Sequence, residues 1–158
     1  MKVKGITDED FVNYKVPSMY IATATCSFKC DAENGYPVCQ NSDLANQPDI
    51  FMLACDIAER YRKNKITKAV IFGGLEPFDQ FAELATAIAA FRMIDVNDDI
   101  VIYTGYNKDE IKEKLDVLKA YPNIVVKFGR YIPGQQPHFD EVLGVYLSSD
   151  NQFAERIS

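Results

Sequence analysis

The chain has 158 residues and a net charge of −6, with 47% hydrophobic and 25% charged residues. This composition is that of an ordinary globular protein and not of a disordered one, and the length suits one domain spanning residues 1–158. The excess of negative charge argues against nucleic acid or an anionic membrane as a partner, because their phosphates would repel the protein on average.

The N-terminal stretch MKVKGITDEDF lacks the apolar run of a secretory signal. No segment of the chain approaches the ~20 consecutive apolar residues of a membrane-spanning helix. We therefore expect a cytoplasmic protein in a reducing compartment, where structural disulfides are disfavoured.

Apolar strand patterns alternate with helical patterns along the chain. Strands are predicted at 19–25, 68–74, 99–105, 123–129 and 141–147, and helices at 49–64, 77–93 and 107–121. Asp49 is the expected N-cap of the first helix, and Cys55 falls on its apolar side. Short strand–helix alternation predicts parallel βαβ units, but too few for a closed eight-stranded barrel, which takes ~250 residues. We expect an α/β fold, a partial, open (βα) barrel with a curved parallel sheet.

Unusual residues directly follow four of the predicted strands. Cys26 follows the first strand, 73–76 the second, 104–106 the third and 129–130 the fourth. In open parallel sheets, ligands bind at the carboxyl ends of the strands. We therefore expect these four loops to converge on one binding site.

Three of the four cysteines are clustered, at Cys26, Cys30 and Cys39. In a reducing compartment, clustered thiols are more often metal-binding or redox-active than disulfide-bonded. A tetrahedral zinc site needs a fourth ligand, but Cys55 reads better as a small buried side chain and His138 as a structural loop residue. An iron–sulfur cluster held by three cysteines would leave one iron free for a substrate or cofactor. The residue types alone leave a disulfide, zinc and a cluster open.

The stretch TCSFKC…VCQNSDLA resembles the cluster loop of radical S-adenosylmethionine (SAM) enzymes. It is most similar to the loop of the small activating proteins of anaerobic ribonucleotide reductase. Cys26, Cys30, Cys39 and Asn41 follow the order of that loop. The resemblance implies that the three cysteines bind a 4Fe-4S cluster.

The spacing of the last two cysteines departs from the family pattern. Eight residues, 31–38, separate them where the family usually has two. We interpret the extra residues as an inserted turn, punctuated by 34–35 and Pro37, which a surface loop accepts at small entropic cost. The family's aromatic contact before the third cysteine falls on Val38, and Tyr36 is expected to substitute for it as a cofactor contact.

The stretch FGGLEPFDQ (72–80) resembles the Gly-Gly-Glu-Pro element that holds the methionine end of SAM in this family. Glycines let the backbone approach a ligand closely, and a carboxylate accepts hydrogen bonds from an ammonium. The resemblance assigns these roles to Gly73, Gly74 and Glu76, with Leu75 as an extra residue. Taken alone, the pattern is more typical of a tight turn followed by a helix with an acidic N-terminus.

Two further stretches are similar to the reductase activators. They are IYTGY (102–106), which places Thr104 at the cofactor, and SSDNQ (148–152). Each is weak alone, but their order and shared strand edge extend the resemblance over residues 17 to 152.

The resemblance implies a radical SAM oxidoreductase, whose cluster and SAM cofactor yield a 5′-deoxyadenosyl radical that abstracts hydrogen. Because the chain is too short to cover such a radical, we expect a partner protein, a glycyl-radical enzyme such as the anaerobic reductase, to close the open side. An electron donor such as flavodoxin or ferredoxin is also implied. Two alternatives remain: a radical SAM enzyme acting on a peptide or small metabolite, with Arg130 pairing an acidic group, and a non-catalytic, metal-stabilised binding module.

Overall fold

The computed structural model describes residues 1–158. The strands are β1 (Lys2–Asp10), β2 (Ser18–Thr23), β3 (Ile50–Phe51), β4 (Ala69–Gly74), β5 (Asp99–Tyr103), β6 (Ile124–Phe128), β7 (His138–Asp140), β8 (Val145–Leu147) and β9 (Phe153–Arg156). The helices are α1 (Lys29–Asn34), α2 (Ser42–Ala45), α3 (Ala54–Lys63), α4 (Phe81–Met93) and α5 (Lys112–Leu118), and short 3₁₀ turns at Pro77–Gln80 and Lys108–Ile111 precede α4 and α5. None of the helices has the length and apolar character needed to cross a membrane.

A seven-stranded sheet in the order β3-β1-β2-β4-β5-β6-β9 forms the centre of the protein. Its four central strands, β2, β4, β5 and β6, are parallel, so that Ala22 lies beside Gly73 and Phe72 beside Ile102. Strands β1 and β3 on one side and β9 on the other are antiparallel to their neighbours. The mixed α/β class and the parallel centre of the sheet agree with the sequence prediction.

The main hydrophobic core lies between one face of the sheet and helices α3, α4 and α5. Phe91 of α4 packs edge-on against Tyr61 of α3 and Phe72 of β4, with ring centroids 5.6 and 6.4 Å apart. The helix spacing and the continuous apolar runs of the parallel strands supply this core, because each strand must bury both of its faces. The helices thereby fix the positions of the strand ends.

The second face of the sheet is covered by a loop and a hairpin instead of helices. Tyr14, Leu143 and Leu147 form a second cluster with Ala69, Ile71, Val101 and Val125 of the sheet. Leu147 belongs to the antiparallel hairpin of β7 and β8. This arrangement corrects the prediction of a further strand at 141–147: the Asp140 side chain accepts from the Leu143 N–H at 2.9 Å, and Gly144 has a φ of +72°. A turn therefore interrupts the apolar run, and the second half of the run, β8, pairs antiparallel with β7.

The first predicted helix begins later than expected. Residues Ile50–Phe51 form β3, and Asp49 is not an N-cap but pairs with Lys4, 2.8 Å away. The helix starts at Ala54, so that its buried stripe is Ile57, Ala58 and Tyr61. The prediction of Cys55 as a buried side chain is therefore wrong, and the thiol is exposed in the first turn.

Candidate metal centre and cofactor cavity

A cavity of about 340 Å³ lies at the carboxyl ends of the four parallel strands. Each strand contributes residues to its lining: Cys26 after β2, 74–76 from the end of β4 onward, 104–105 after β5, and 129–130 after β6. The structure thus brings together the four loops that the sequence predicted to converge.

Cys26, Cys30 and Cys39 all line this cavity as free, half-buried thiols. Burial raises the pKa of Cys26 to about 11, and burial together with the neighbouring Cys39 thiol raises the pKa of Cys30 to about 12. Cys26 and Cys30 are therefore protonated at neutral pH until a metal replaces the protons. Cys55 and His138 do not line the cavity, and His138 lies half-buried in β7.

The spacing of these thiols bears on the kind of metal centre they suit. No three His, Cys, Asp or Glu side chains lie close enough together to hold a single metal ion. A structural zinc site is closed by four ligands that meet at one point, and three cysteines line the cavity. In a cubane cluster each cysteine binds a different iron, so three thiols around a shared cavity suit it without converging on one atom. The donor set, three soft thiols, also fits a cluster.

Cys26 lies in the segment that follows β2, and the 3₁₀ turn after β4 holds this segment in place. The Gln80 side-chain oxygen accepts hydrogen bonds from the backbone N–H groups of Ala24, at 2.7 Å, and Thr25, at 3.1 Å. Gln80 is itself buried, and its amide nitrogen donates to the Lys2 carbonyl at 3.0 Å. Residues 24–25 lie beyond the end of the strand, and these two bonds supply the acceptors that their N–H groups no longer find in the sheet.

Helix α1, which carries Cys30, is tied to the opposite side of the cavity by charge. Glu110 accepts two hydrogen bonds from the Arg130 guanidinium, both at 2.7 Å, and one from Lys29 at 3.4 Å. Arg130 also pairs with Glu33, with 3.2 Å between Nε and the carboxylate. The Arg130 hydrogen bonds hold the pKa of Glu110 at about 2. Arg130 is therefore buried and paired within the chain, and its pairing with an acidic group of a small substrate stays a prediction.

Glu76 is buried beside the cavity and accepts three hydrogen bonds from the chain. One oxygen accepts from the Thr104 hydroxyl at 2.7 Å and the Phe78 N–H at 3.1 Å, and the other accepts from the Gly105 N–H at 2.8 Å. Burial raises its pKa despite these donors. Glu76 therefore caps the 3₁₀ turn, as the simpler interpretation of its motif expects, and also lines the cavity together with Thr104.

The two glycines of the motif lie in different surroundings. Gly74 lines the cavity with a φ of +81°, and a Cβ there would lie 2.8 Å from the Leu44 side chain. Because Leu44 belongs to α2, a glycine at this position lets the cysteine loop close over the end of β4. Gly73 is buried beneath Tyr20, whose hydroxyl would lie 2.7 Å from an added Cβ.

Tyr36, expected as a cofactor contact, and Asn41, which follows the order of the family's cluster loop, differ in position. Asn41 lines the cavity. The Tyr36 side chain is 57% exposed and is not part of the lining, so its role as a cofactor contact stays a prediction.

Lys127 is a cavity residue that the sequence analysis missed. It is buried at the end of β6, its ammonium donates to the Gly129 carbonyl at 2.9 Å, and burial lowers its pKa to about 8. The signal was a single lysine inside the apolar run NIVVKFG. A buried cation in a cavity that also holds Glu76 makes the site suitable for a ligand that carries both charges.

The C-terminal element SSDNQ supports the end of β6. Gln152 accepts from the N–H groups of Ser148 and Ser149 at 3.1 and 3.2 Å and donates to the Gly129 carbonyl at 3.2 Å. Asn151 donates to the Arg130 carbonyl at 2.9 Å. The element therefore fixes the loop that presents Arg130 to the cavity.

Comparison with known protein families gives one match. The family model described as a 4Fe-4S single cluster domain matches residues 18–151, which include the three clustered cysteines and the cavity loops. No curated protein and no solved structure matches the chain significantly.

Proposed function

The chain belongs to the 4Fe-4S single cluster domain family and is a radical SAM-like iron–sulfur protein, and on this premise we propose that it cleaves SAM reductively. In this proposal Cys26, Cys30 and Cys39 hold the cluster. The observation that carries it is that three free thiols from one loop line a single cavity at the ends of the parallel strands. The sheet then corresponds to a partial, open (βα) barrel.

The chemistry itself comes from the cofactors. When bound, a 4Fe-4S cluster and SAM supply one-electron cleavage of a sulfonium, which gives methionine and a 5′-deoxyadenosyl radical. The chain contributes binding and orientation.

The polar residues of the cavity suit the amino-acid end of SAM. Glu76 Oε2 accepts one hydrogen bond, from Gly105, and an sp² carboxylate oxygen has a second lone pair for an ammonium. The Lys127 ammonium has one acceptor within the chain, the Gly129 carbonyl, and retains donors for a carboxylate. Gly74 lines the cavity and lets the backbone approach the ligand, whereas the same role for Gly73 stays a prediction because this residue lies beneath Tyr20. Thr104 orients Glu76.

The substrate in this proposal is a glycyl-radical enzyme, such as an anaerobic ribonucleotide reductase. The hairpin and the loop before β2 cover the second face of the sheet, but the cavity stays open to solvent. Val12 and Tyr146 both line it and are 72% and 74% exposed. A partner protein would close this apolar mouth and present a backbone glycine, and flavodoxin or ferredoxin would supply the electron.

Anaerobic reconstitution tests the cluster ligands. We expect Cys39→Ala to lose most of the iron and sulfide bound by the wild type, while Cys55→Ala, the exposed thiol outside the cavity, retains it. Full iron content in Cys26→Ala, Cys30→Ala and Cys39→Ala would refute the ligand assignment.

The reconstituted protein then tests the reaction. With dithionite and SAM we expect 5′-deoxyadenosine, and with the candidate reductase added we expect a glycyl radical in electron paramagnetic resonance. An intact cluster that cleaves no SAM would overturn the enzymatic proposal. SAM cleavage without a glycyl signal would overturn the activase role and favour a peptide or small metabolite as substrate.

A further inference from the structure

The eight extra residues between Cys30 and Cys39 fold back on themselves. The helical turn of α1 continues to Asn34, and Gly35 reverses the chain with a φ of +75°. The Gly35 N–H donates to the Asp31 carbonyl at 2.9 Å, and the Asn34 side chain donates to the Cys30 carbonyl at 2.8 Å. The insertion is therefore an ordered loop whose two ends lie close together.

One carboxylate closes this loop. Asp31 Oδ1 accepts hydrogen bonds from the backbone N–H groups of both Val38 and Cys39, each at 2.8 Å. Asp31 directly follows Cys30, so a single side chain joins the second cysteine to the third. The Cys39 thiol is near enough to contribute to the raised pKa of Cys30.

We propose that Asp31 is a positioning residue that sets the distance between Cys30 and Cys39 for cluster binding. The inference rests on the proposed role of Cys39 as a ligand. An eight-residue loop without such a closure would spread Cys39 over many positions, and the cluster would have to order it on binding. The two hydrogen bonds from Val38 and Cys39 to Asp31, which we call the Asp31 clasp, hold Cys39 near Cys30 as a short loop would.

Electrostatics favours positioning over any other role for this carboxylate. The Cys30 sulfur lies 3.9 Å from Asp31 Oδ1, so a negative charge here opposes the thiolates that a cluster requires. The Asp31 carboxylate repels the negative charge of the ligand thiolates, and its hydrogen bonds from two backbone N–H groups offset this repulsion.

Hydrogen exchange of the full-length, metal-free chain tests the clasp directly. In Asp31→Ala we expect the Val38 and Cys39 amides to exchange about tenfold faster or more, the effect of losing a hydrogen bond to a charged acceptor. In Asp31→Asn the side-chain oxygen still accepts, so most of the protection should remain. Asp43→Ala is the matched control, because Asp43 lies in α2, shortly after Cys39, and its side chain forms no hydrogen bond.

Cluster retention tests the consequence. After anaerobic reconstitution we expect Asp31→Ala to lose iron to a chelator at least several-fold faster than the wild type, and Asp31→Asn and Asp43→Ala to resemble the wild type. If Cys39→Ala loses the cluster but Asp31→Ala keeps wild-type exchange and iron retention, the positioning role is refuted while the ligand assignment stands. If Cys39→Ala keeps the cluster, the proposed function fails first.

Discussion

The charge network that anchors helix α1 predicts a pH-dependent contribution to stability. Arg130 is buried, with 7% of its side chain exposed, and forms a two-pronged hydrogen bond to Glu110, which also pairs with Lys29. The network lowers the pKa of Glu110 to about 2 from a usual 4.5. Glu110→Gln removes the charge and keeps a side-chain oxygen that can still accept from the Asn107 N–H at the start of α5's 3₁₀ turn.

The size of the effect follows from the pKa. A pKa lowered from 4.5 to about 2 corresponds to an upper bound of ~3 kcal/mol. Solvent screening at this partly exposed carboxylate reduces the expected loss in Glu110→Gln to about 1–2 kcal/mol at pH 7. Because the folded-state pKa is depressed, the contribution is complete above pH 4.5 and is lost as the pH falls through about 2.

Urea unfolding of the full-length, metal-free chain between pH 7 and pH 2 measures this difference. We expect the free energies of unfolding of wild type and Glu110→Gln to converge as the pH falls. Glu113→Gln, an exposed neighbour in α5 for which no side-chain hydrogen bond is found, should match the wild type throughout. A difference that stays constant down to pH 2, or one that Glu113→Gln reproduces, would refute the ion-pair explanation.

Three further perturbations test how the strand ends hold the site. Gly74→Ala would place a side chain at a positive φ and 2.8 Å from Leu44, so we expect the free energy of unfolding in urea to fall by about 1–3 kcal/mol. Adding Leu44→Ala should restore only part of this loss, because the unfavourable φ remains. Full restoration would contradict the backbone argument. Gln80→Leu leaves two N–H groups before Cys26 without an acceptor. We expect the free energy of unfolding to fall by about 2 kcal/mol and the iron content after reconstitution to be lower. Unchanged iron content would show that Gln80 does not position Cys26. Burial lowers the pKa of Lys127 to about 8 from a usual 10.5, so its own contribution to stability rises with pH between these values, where the unfolded chain binds more protons at this group. The free energy of unfolding of the wild type relative to Lys127→Met should therefore rise over this range, and Lys127→Met should bind SAM more weakly. A difference between the two proteins that does not change with pH would contradict the lowered pKa.

The parts of the fold that the sequence predicted are those decided by local pattern. Runs such as KAVIFGG become parallel strands because both of their faces are buried, and the order of strands and helices then fixes their connection. β1 was missed because its sequence, KVKGITDED, has the charges of an edge strand and gains its order from β2. The run at 141–147 was misassigned because a turn interrupts it, in which Asp140 accepts from the Leu143 N–H through its side chain and from the Gly144 N–H through its carbonyl. Cys55 was misplaced because the start of α3 is set by the pairing of Ile50–Phe51 with β1.

The same division applies to the site. The cysteines, Glu76 and Thr104 carry recognisable motifs, and the structure brings them to one cavity. The groups that hold those motifs in place were not predictable, because each acts across a distance in sequence that only the fold closes. Gln80 reaches Ala24, and Arg130 reaches Glu33. Lys127 had a local signal, but its meaning required knowing which face of β6 points into the cavity.

A common physical device recurs around the three cysteines. Next to each one, backbone or helix is held by a side chain that is not a ligand: Gln80 holds the residues before Cys26, Arg130 pairs with the helix of Cys30, and Asp31 holds Cys39. Buried or partly buried backbone donors would otherwise need water or the sheet as partners. Because these contacts join the chain's own side chains and backbone, we expect them to order the cysteine loop before a cluster binds. The loop should therefore keep its fold when the cluster is lost, and exchange protection at Thr25 and Cys39 that appears only after reconstitution would contradict this conclusion.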